Sequence, residues 1–242
     1  MKKIFGLMLL CAASMLYSCE KEYIPQEVEL TLDYTFVESG NMSRATGSEV
    51  YADFYNKYIE TKVLTPKKYE LTFVNNETKA TTTINGNWDR KDGIRLLEGS
   101  YTVVGSSRPV VKYEFSDSLF LSFNEVVNIK KDDAYLLLTA LHDSFLLMFD
   151  VDNTAKIDLK TTVLSSGSPE KQVTKDDKLY WLFLQDVVSS FGSNYFYTLK
   201  IYRKDGNNSN VVLKNMPFEK GKYYYFNDVT NSFNIPPMES GN

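Results

Sequence analysis

The chain has 242 residues, with 27 Lys and Arg against 31 Asp and Glu, which gives a formal net charge of −4. This mildly acidic balance, without basic blocks, argues against nucleic-acid binding, which depends on neutralising phosphates. Aromatic residues are abundant, with 17 Tyr and 15 Phe, and together with many Val, Thr and Ile they indicate a strand-rich protein.

The first residues have the organisation of an export signal. Lys2-Lys3 forms a short basic region, and the stretch from Ile4 to Leu16 is apolar and uncharged. This stretch is too short for a stable membrane span, which needs roughly 20 residues. We therefore predict a lipoprotein-type signal peptide over residues 1–18.

A cysteine follows the predicted signal peptide directly. Leu16-Tyr17-Ser18-Cys19 resembles the bacterial lipobox, in which a small residue precedes a cysteine that is acylated and becomes the first residue of the mature chain. Removing residues 1–18 also removes Cys11, so a disulfide within the mature chain is excluded. The resemblance implies a membrane anchor of acyl chains, palmitate among them, on Cys19. The alternative is an ordinary signal peptide followed by a free cysteine.

Residues 19–26 are expected to form a tether. Its Glu20-Lys21-Glu22 resembles the export signal that sends many lipoproteins of the Bacteroidetes to the outer face of the outer membrane. This implies an outer-membrane lipoprotein that is exposed at the cell surface. The alternative is the periplasmic face of the same membrane, with the polar residues serving only to keep the tether soluble.

The mature chain begins with one strand and one helix. From Val28 to Phe36 apolar and polar residues alternate, which predicts a half-buried strand. Residues 38–48 have no apolar periodicity and are expected to form a loop. Between Glu49 and Lys62 the apolar positions recur at helical spacing, behind a capping-box spacing at Thr46–Glu49. We expect one short helix there, and no other substantial one.

Downstream of Pro66 nearly every signal predicts a strand. Asn85-Gly86 predicts a hairpin turn, and many short strands separated by polar turns indicate β-sandwiches. The charged turn Lys130–Asp133 is the expected domain boundary. The predicted fold is therefore mainly β, with two tandem antiparallel β-sandwich domains over residues 27–130 and 131–242 and the short helix near the start of the first. The predicted strands are 69–73, 78–84, 94–97, 101–104, 113–123, 125–129, 134–141, 145–151, 156–163, 179–188, 195–202, 211–213 and 222–226.

The sequence offers little for catalysis. His142 is the sole histidine, so it cannot form a histidine metal cluster. Its neighbours Asp143 and Ser144 are sequential in an expected turn, whereas catalytic partners converge from separate segments. Acidic pairs such as Asp132-Asp133 lie in polar turns, where Asp bonds its own backbone. We therefore predict no enzyme activity, no metal and no cofactor.

Two residues are candidates for contact or modification. Trp88 follows Asn85-Gly86-Asn87 at an expected hairpin end, where an exposed indole would stack on a sugar ring; Trp181, within an apolar run, is expected in the core. Asp117-Ser118-Leu119 matches a short pattern at which Bacteroidetes O-glycosylate exported proteins, so Ser118 is a candidate glycosylation site. The alternative for Ser118 is a plain strand segment.

The combined layout resembles that of the fimbrillin-like lipoproteins of Bacteroides and relatives. The resemblance implies two transthyretin-like β-sandwiches in tandem. In the family's pilins it also implies cleavage after an arginine in the first loop, which frees the leading strand so that a strand of the next subunit takes its place. The segments that carry the resemblance are Cys19 with its lipobox, Val28–Phe36, Ser43–Thr46, Leu97–Val103 and Gly221–Phe226.

Carried over to this sequence, the resemblance makes Arg44 the processing site and Glu27–Val37 the removable strand. Fimbrillins usually continue from the processed arginine into a strand, whereas a helix is expected here, so Arg44 is alternatively a solvated loop residue. We expect a non-enzymatic, lipid-anchored, structural or adhesive surface protein, whose partners are the membrane through Cys19 and other pilus subunits. The alternatives are an uncleaved pilus anchor, a non-pilus surface protein and a glycan-binding accessory lipoprotein of the outer membrane.

Overall fold

The computed structural model describes residues 24–36, 48–91, 93–108, 115–150, 153–161, 170–184, 196–214 and 220–227. Strands make up most of these ranges, which confirms the mainly β class predicted from the sequence. The elements are β1 (Glu27–Phe36), α1 (Ser48–Phe54), a π-helical turn (Tyr55–Ile59), β2 (Lys68–Asn75), β3 (Thr81–Asn87), β4 (Gly93–Leu97), β5 (Gly99–Ser107), β6 (Phe115–Ser116), β7 (Leu121–Ile129), β8 (Tyr135–His142), β9 (Phe145–Asp150), β10 (Thr154–Thr161), β11 (Glu170–Gln172), β12 (Thr174–Asp176), β13 (Leu179–Leu184), β14 (Phe196–Arg203), β15 (Asn208–Lys214) and β16 (Tyr223–Asn227).

Within the described ranges, the strands form three sheets. The first sheet has the order β3-β2-β5-β7-β8-β1-β4. The second has the order β11-β10-β14-β15, and the third has the order β12-β13-β9-β16, with β6 paired to β13. Neighbouring strands are antiparallel except for β1 with β8 and β9 with β16, which are parallel.

The first sheet bends into two layers. β7 and β8 pair over only two positions, starting with Leu121 opposite His142, so the strands on either side of this corner separate. Along β1 and β2 every second side chain is buried, because each layer packs one face inward and exposes the other. Buried side chains of both layers, such as Leu30, Phe73 and Val103, belong to one continuous core, which we call the first core.

The third sheet is covered on both faces. In β9, Leu146 and Met148 belong to the first core, whereas Phe145, Leu147 and Phe149 belong to a second core formed with the second sheet. β13 and β16 divide their side chains between the two cores in the same way. These strands are therefore apolar at nearly every position, as expected for strands with two buried faces.

The helical segment packs against the third sheet and extends the first core. The Tyr51 ring stacks on that of Tyr223, with centroids 3.9 Å apart and planes within 4°. Phe54 meets Trp181 at 5.4 Å between ring centroids. The core position expected for Trp181 is thereby confirmed, and the helix joins β13 and β16 to the first sheet.

The helix predicted between Glu49 and Lys62 is confirmed, but it is shorter and only partly α-helical. α1 covers Ser48–Phe54, and the π-helical turn carries the chain to Ile59. Lys62 then adopts a φ of +59°, in the left-handed region where helices commonly end. The predicted capping residue Thr46 lies outside the described residues.

The domain boundary predicted at Lys130–Asp133 differs from the observed strand order. This turn joins β7 to β8, and β8 pairs with β1 over six positions of the first sheet. A charged turn gives the same sequence signal whether it lies inside a sheet or between domains. The division into residues 27–130 and 131–242 stays a prediction; the strands of the first sheet precede those of the other two sheets in the chain. The short β6 is an exception, because it lies earlier in the chain and pairs with the third sheet.

The hairpin turn predicted at Asn85-Gly86 is wrong. Both residues lie inside β3, opposite Glu70 and Tyr69 of β2. The ring of Tyr69 lies over Gly86, where a Cβ atom would be 2.3 Å from ring atoms. This glycine therefore permits a close approach within a strand, which is the other common use of glycine in sheets.

Candidate functional site

β1 follows the predicted tether directly, and it pairs with β4 along one edge of its first half and with β8 along the other edge of its second half. It pairs with β4 over five antiparallel positions, from Glu27 to Thr31, and with β8 over six parallel positions, from Thr31 to Phe36. The N–H of Thr31 donates to the carbonyl of Ala134 at 2.9 Å. Since β4 lies outside it, β1 is an internal strand of the sheet.

The inward side of β1 forms part of the first core. Val28, Leu30, Leu32 and Tyr34 are each no more than 4% exposed. Burying a side chain of this size contributes about 1.5–3 kcal/mol. The four together are comparable with the whole stability of a typical domain, about 5–15 kcal/mol. The first core therefore depends on β1.

Lys62, just after the helical segment, attaches to β1 around Asp33 and Tyr34. Its Nζ donates to Asp33 Oδ1 at 2.8 Å and to the Tyr34 carbonyl at 2.7 Å, and it lies 4.1 Å from the centre of the Tyr34 ring. Burial raises the pKa of Asp33, but the hydrogen bonds from Lys62 and from the Tyr34 N–H outweigh this effect and hold the pKa below its usual value. β1 is thus held by an ionic contact as well as by packing.

Trp88, the candidate glycan contact, is half-buried beside β1. Its ring centroid lies 4.1 Å from that of Tyr69, 4.6 Å from that of Tyr34 and 5.7 Å from that of Phe123. The indole Nε1–H donates to Ser107 Oγ at 3.2 Å. Trp88 is therefore packed among aromatic rings rather than projecting from a hairpin end, and it belongs with β1 to one aromatic cluster. Glycan contact through Trp88 stays a prediction.

His142 closes the same end of β1. Its ring meets that of Phe36 edge-on, with centroids 5.1 Å apart. Burial lowers the pKa of His142 to about 4, so the imidazole is neutral at physiological pH. The next residue, Asp143, accepts hydrogen bonds from Arg108 and from Lys220, the latter at 2.6 Å. Two cations therefore fix the crossing from the first sheet to the third.

The remaining candidate positions stay predictions. Ser118 lies in a bend after β6, where its N–H donates to Ser116 Oγ at 3.0 Å, so the strand predicted over residues 113–123 is interrupted there. Its O-glycosylation is untested. Cys19 and Arg44 lie outside the described residues, and acylation and processing at these positions are untested too.

Two further features of the described residues concern metals and membranes. In these ranges no group of three or more His, Cys, Asp and Glu side chains is arranged to hold a metal ion. Across the same ranges, no helix combines the length and the apolar character that a membrane span requires.

Sequence reasoning did not identify Lys62 or Arg108. Lys62 closes a helical pattern in which charged residues recur, and nothing distinguishes it from Lys57. Arg108 precedes Pro109, which marks a strand end, but no pattern links it to Asp143, 35 residues later. Contacts between segments so far apart leave no local signal, and covariation between homologous sequences would be needed to find them.

No family model and no curated protein matches this sequence. Solved structures with a similar chain path include a protein from Bacteroides uniformis named for cell adhesion, with 11% identity, a TM-score of 0.47 and coverage of 83% of this chain and 91% of that one. A fimbrial assembly protein from Parabacteroides distasonis has 9% identity and a TM-score of 0.46, with 84% and 91% covered. The tip fimbrial protein Mfa3 from Porphyromonas gingivalis has 8% identity and a TM-score of 0.42, with 84% and 94% covered. A likeness this distant does not define a function for this chain.

Proposed function

We propose that the protein is a non-enzymatic structural or adhesive component of the cell surface, held in the outer membrane by acylated Cys19. The observation that carries this proposal is the position of β1. It follows the seven-residue stretch from Glu20 to Gln26 and lies inside the first sheet, bonded to β4 over its first half and to β8 over its second half. A lipid anchor at Cys19 would therefore be connected to a strand inside the fold rather than to a loop.

β1 is suited to bearing load. A pull on the tether acts along the strand, and the hydrogen bonds to β4 and β8 run across it. Such bonds are loaded together in shear, so they resist as a group. The buried side chains Val28, Leu30, Leu32 and Tyr34 would have to leave the first core in the same event. Both properties favour a protein that keeps its anchor while something pulls on the rest of the chain.

The second form of the proposed function is a pilus subunit that is cleaved after Arg44. Cleavage at Arg44 would let β1 depart, with the loss of about 6–12 kcal/mol from its four buried side chains. A loss of this size would leave the first sandwich unstable unless another strand filled the place between β4 and β8, which is what strand addition from a neighbouring subunit supplies. Retention of β1 requires no such partner, and we therefore propose the uncleaved anchor first.

Mass spectrometry of outer-membrane fractions, combined with protease shaving of intact cells, tests the proposal. We expect an acylated N-terminal peptide that begins at Cys19 and surface-accessible peptides from the rest of the chain. We expect Cys19→Ala to release the protein from the membrane. An N-terminus at residue 45 would identify the pilus form; Arg44→Ala should then block processing, whereas the control variant Arg90→Ala, in an exposed turn after β3, should not.

Three results would contradict the proposal. An unacylated Cys19 would remove the anchor. A protein confined to the periplasm as a monomer would remove the surface role. If β1 were released, no strand took its place and the chain stayed folded, the first core would not depend on β1.

A further inference from the structure

The outward faces of the sheets differ in charge. On the outer side of β1 and β4, Arg95 bonds to Glu29 at 3.2 Å. On the outer side of the second sheet, Lys156 bonds to Asp158 at 2.7 Å. Interspersed charges of both signs are usual on solvated protein surfaces, where they keep flat sheet faces from associating.

The layer β3-β2-β5-β7 has a different outward face. All four strands are described throughout, and on this face they carry charge only at Lys68 and Glu70, which lie at one end of β2. Glu125 of β7 is directed to β8, where it accepts a hydrogen bond from the Thr139 hydroxyl at 3.1 Å. The part of the face beyond Glu70, which we call the neutral face, includes Thr72, Thr83, Thr102, Val104, Asn124 and Val126.

The neutral face is ordered and accessible. Thr72 lies opposite Thr83 on one side and Val104 on the other, and Val126 is 64% exposed. The hydroxyls of Thr72 and Thr83 are 3.0 Å apart, and the Thr102 hydroxyl donates to Asn76 at 2.8 Å. Threonine is stiff at χ1, so these groups lose little freedom when a ligand binds. Neighbouring strands repeat the pattern about every 4.8 Å.

We propose that the neutral face binds a neutral polysaccharide. Threonine hydroxyls and the Asn124 amide both donate and accept hydrogen bonds, as sugar hydroxyls do. Val104 and Val126 offer apolar contact for the C–H groups of a sugar ring. An uncharged polymer also meets no unpaired charge on the neutral face. The inference deepens the proposed adhesive role, and it rests on that role for the surface location at which the polysaccharide is met.

Other occupants fit this face less well. An acidic polymer needs cations, and the neutral face has none among the strands named. A second copy packed face to face would bury threonines and asparagine around two valines, whereas packed sheets and homodimer interfaces have mainly apolar centres. An added strand binds at a sheet edge, not on a face.

Affinity electrophoresis of the mature chain, from residue 19 onward and with Cys19→Ser to prevent acylation, tests the inference. The gels contain a neutral polysaccharide (β-glucan, xylan, mannan or starch) or the acidic polymer polygalacturonate. We expect retardation by at least one neutral polymer and none by polygalacturonate. Thr83→Lys and Val126→Lys should each raise the dissociation constant about tenfold or more, because each puts a charge within the contact.

Thr35→Lys is the matched control. It makes the same change at an exposed position of β1, on the outer face of the other layer, and should leave binding unchanged. Thr83→Ser keeps the hydroxyl and should bind within about twofold of the original chain. Thermal melting followed by circular dichroism shows that each variant is folded before its binding is compared.

Three outcomes would overturn the inference: no retardation by any neutral polymer, equal binding by Val126→Lys and Thr35→Lys, or self-association that Val126→Lys abolishes. The last would assign the face to a second copy. Since the experiment does not use the lipid, a failure here leaves the proposed anchoring intact. Failure of acylation at Cys19 would, conversely, leave polysaccharide binding intact.

Discussion

β1 and β13 are both buried strands, but β1 has one buried face and β13 has two. On β1, Leu32 is 3% exposed while Thr35 lies in solvent. On β13 the consecutive residues Leu182 and Phe183 are both within 2% exposure, the former in the second core and the latter in the first. A strand's sequence therefore reports how many cores it touches: alternation indicates one core, and an unbroken apolar run indicates two.

Alanine substitutions should give the largest effects and show the difference between β1 and β13. We expect Leu182→Ala and Phe183→Ala each to lower the free energy of unfolding by about 2–5 kcal/mol, since each leaves a cavity in a packed core. On β1, Leu32→Ala should have an effect of the same size, whereas Thr35→Ala should change stability by less than about 0.5 kcal/mol. Urea denaturation measures all four. A loss below about 1 kcal/mol for Phe183→Ala would contradict the second buried face of β13.

Acid should lower the stability of the fold through His142, which lies at the end of β1. Because its folded pKa, about 4, lies below the unfolded value of 6.5, the unfolded chain binds the proton more tightly. Above pH 6.5 His142 is neutral in the folded and the unfolded chain, so burying it there has no protonation penalty. As the pH drops from 6.5 towards 4, the free energy of unfolding falls by up to about 3 kcal/mol.

The measurement for His142 is the difference between the original chain and His142→Gln. Carboxylates titrate in both proteins and cancel in this difference, so the unfolding free energies should converge or cross between pH 6.5 and 4. Parallel pH curves for the two proteins would show that the imidazole titrates alike in the folded and unfolded chains, which would contradict the lowered pKa of His142. A second variant, Phe36→Leu, tests the ring contact, since a more open site should raise the pKa of His142.

The fold was more predictable from the sequence than the candidate site. The alternation from Val28 to Phe36 and the apolar run around Trp181 each follow from local burial, and both were predicted correctly. The contacts of Trp88 with Tyr34 and Tyr69, and those of Lys62 with β1, join segments that are distant in sequence. Local patterns carry no information about such partners.

Gly86 and Gly206 allow a second comparison, between a glycine inside the first sheet and a glycine in an exposed turn. Gly86→Ala should lower the free energy of unfolding by about 1–3 kcal/mol, because the new methyl group would meet the Tyr69 ring and force β2 and β3 apart. At the exposed turn glycine Gly206, alanine would meet no atom within 4 Å and only the strain of a φ of +88° remains, about 1 kcal/mol. Thermal melts of the two variants compare crowding with strain. A larger effect at Gly206 would argue against the close packing of Tyr69 on Gly86.

Lys62 gives the smallest expected effect and the most local one. Lys62→Gln removes the ion pair with Asp33 and the contact over the Tyr34 ring, both partly open to solvent, so we expect a loss of only about 1 kcal/mol. Lys67→Gln removes the more exposed pair with Asp89 and should change stability by less than about 0.5 kcal/mol. Hydrogen exchange locates the effect: amides of β1 should exchange faster in Lys62→Gln, while those of β13, held between two cores, should not. Equal acceleration in both strands would mean that Lys62 supports the whole fold rather than the attachment of β1.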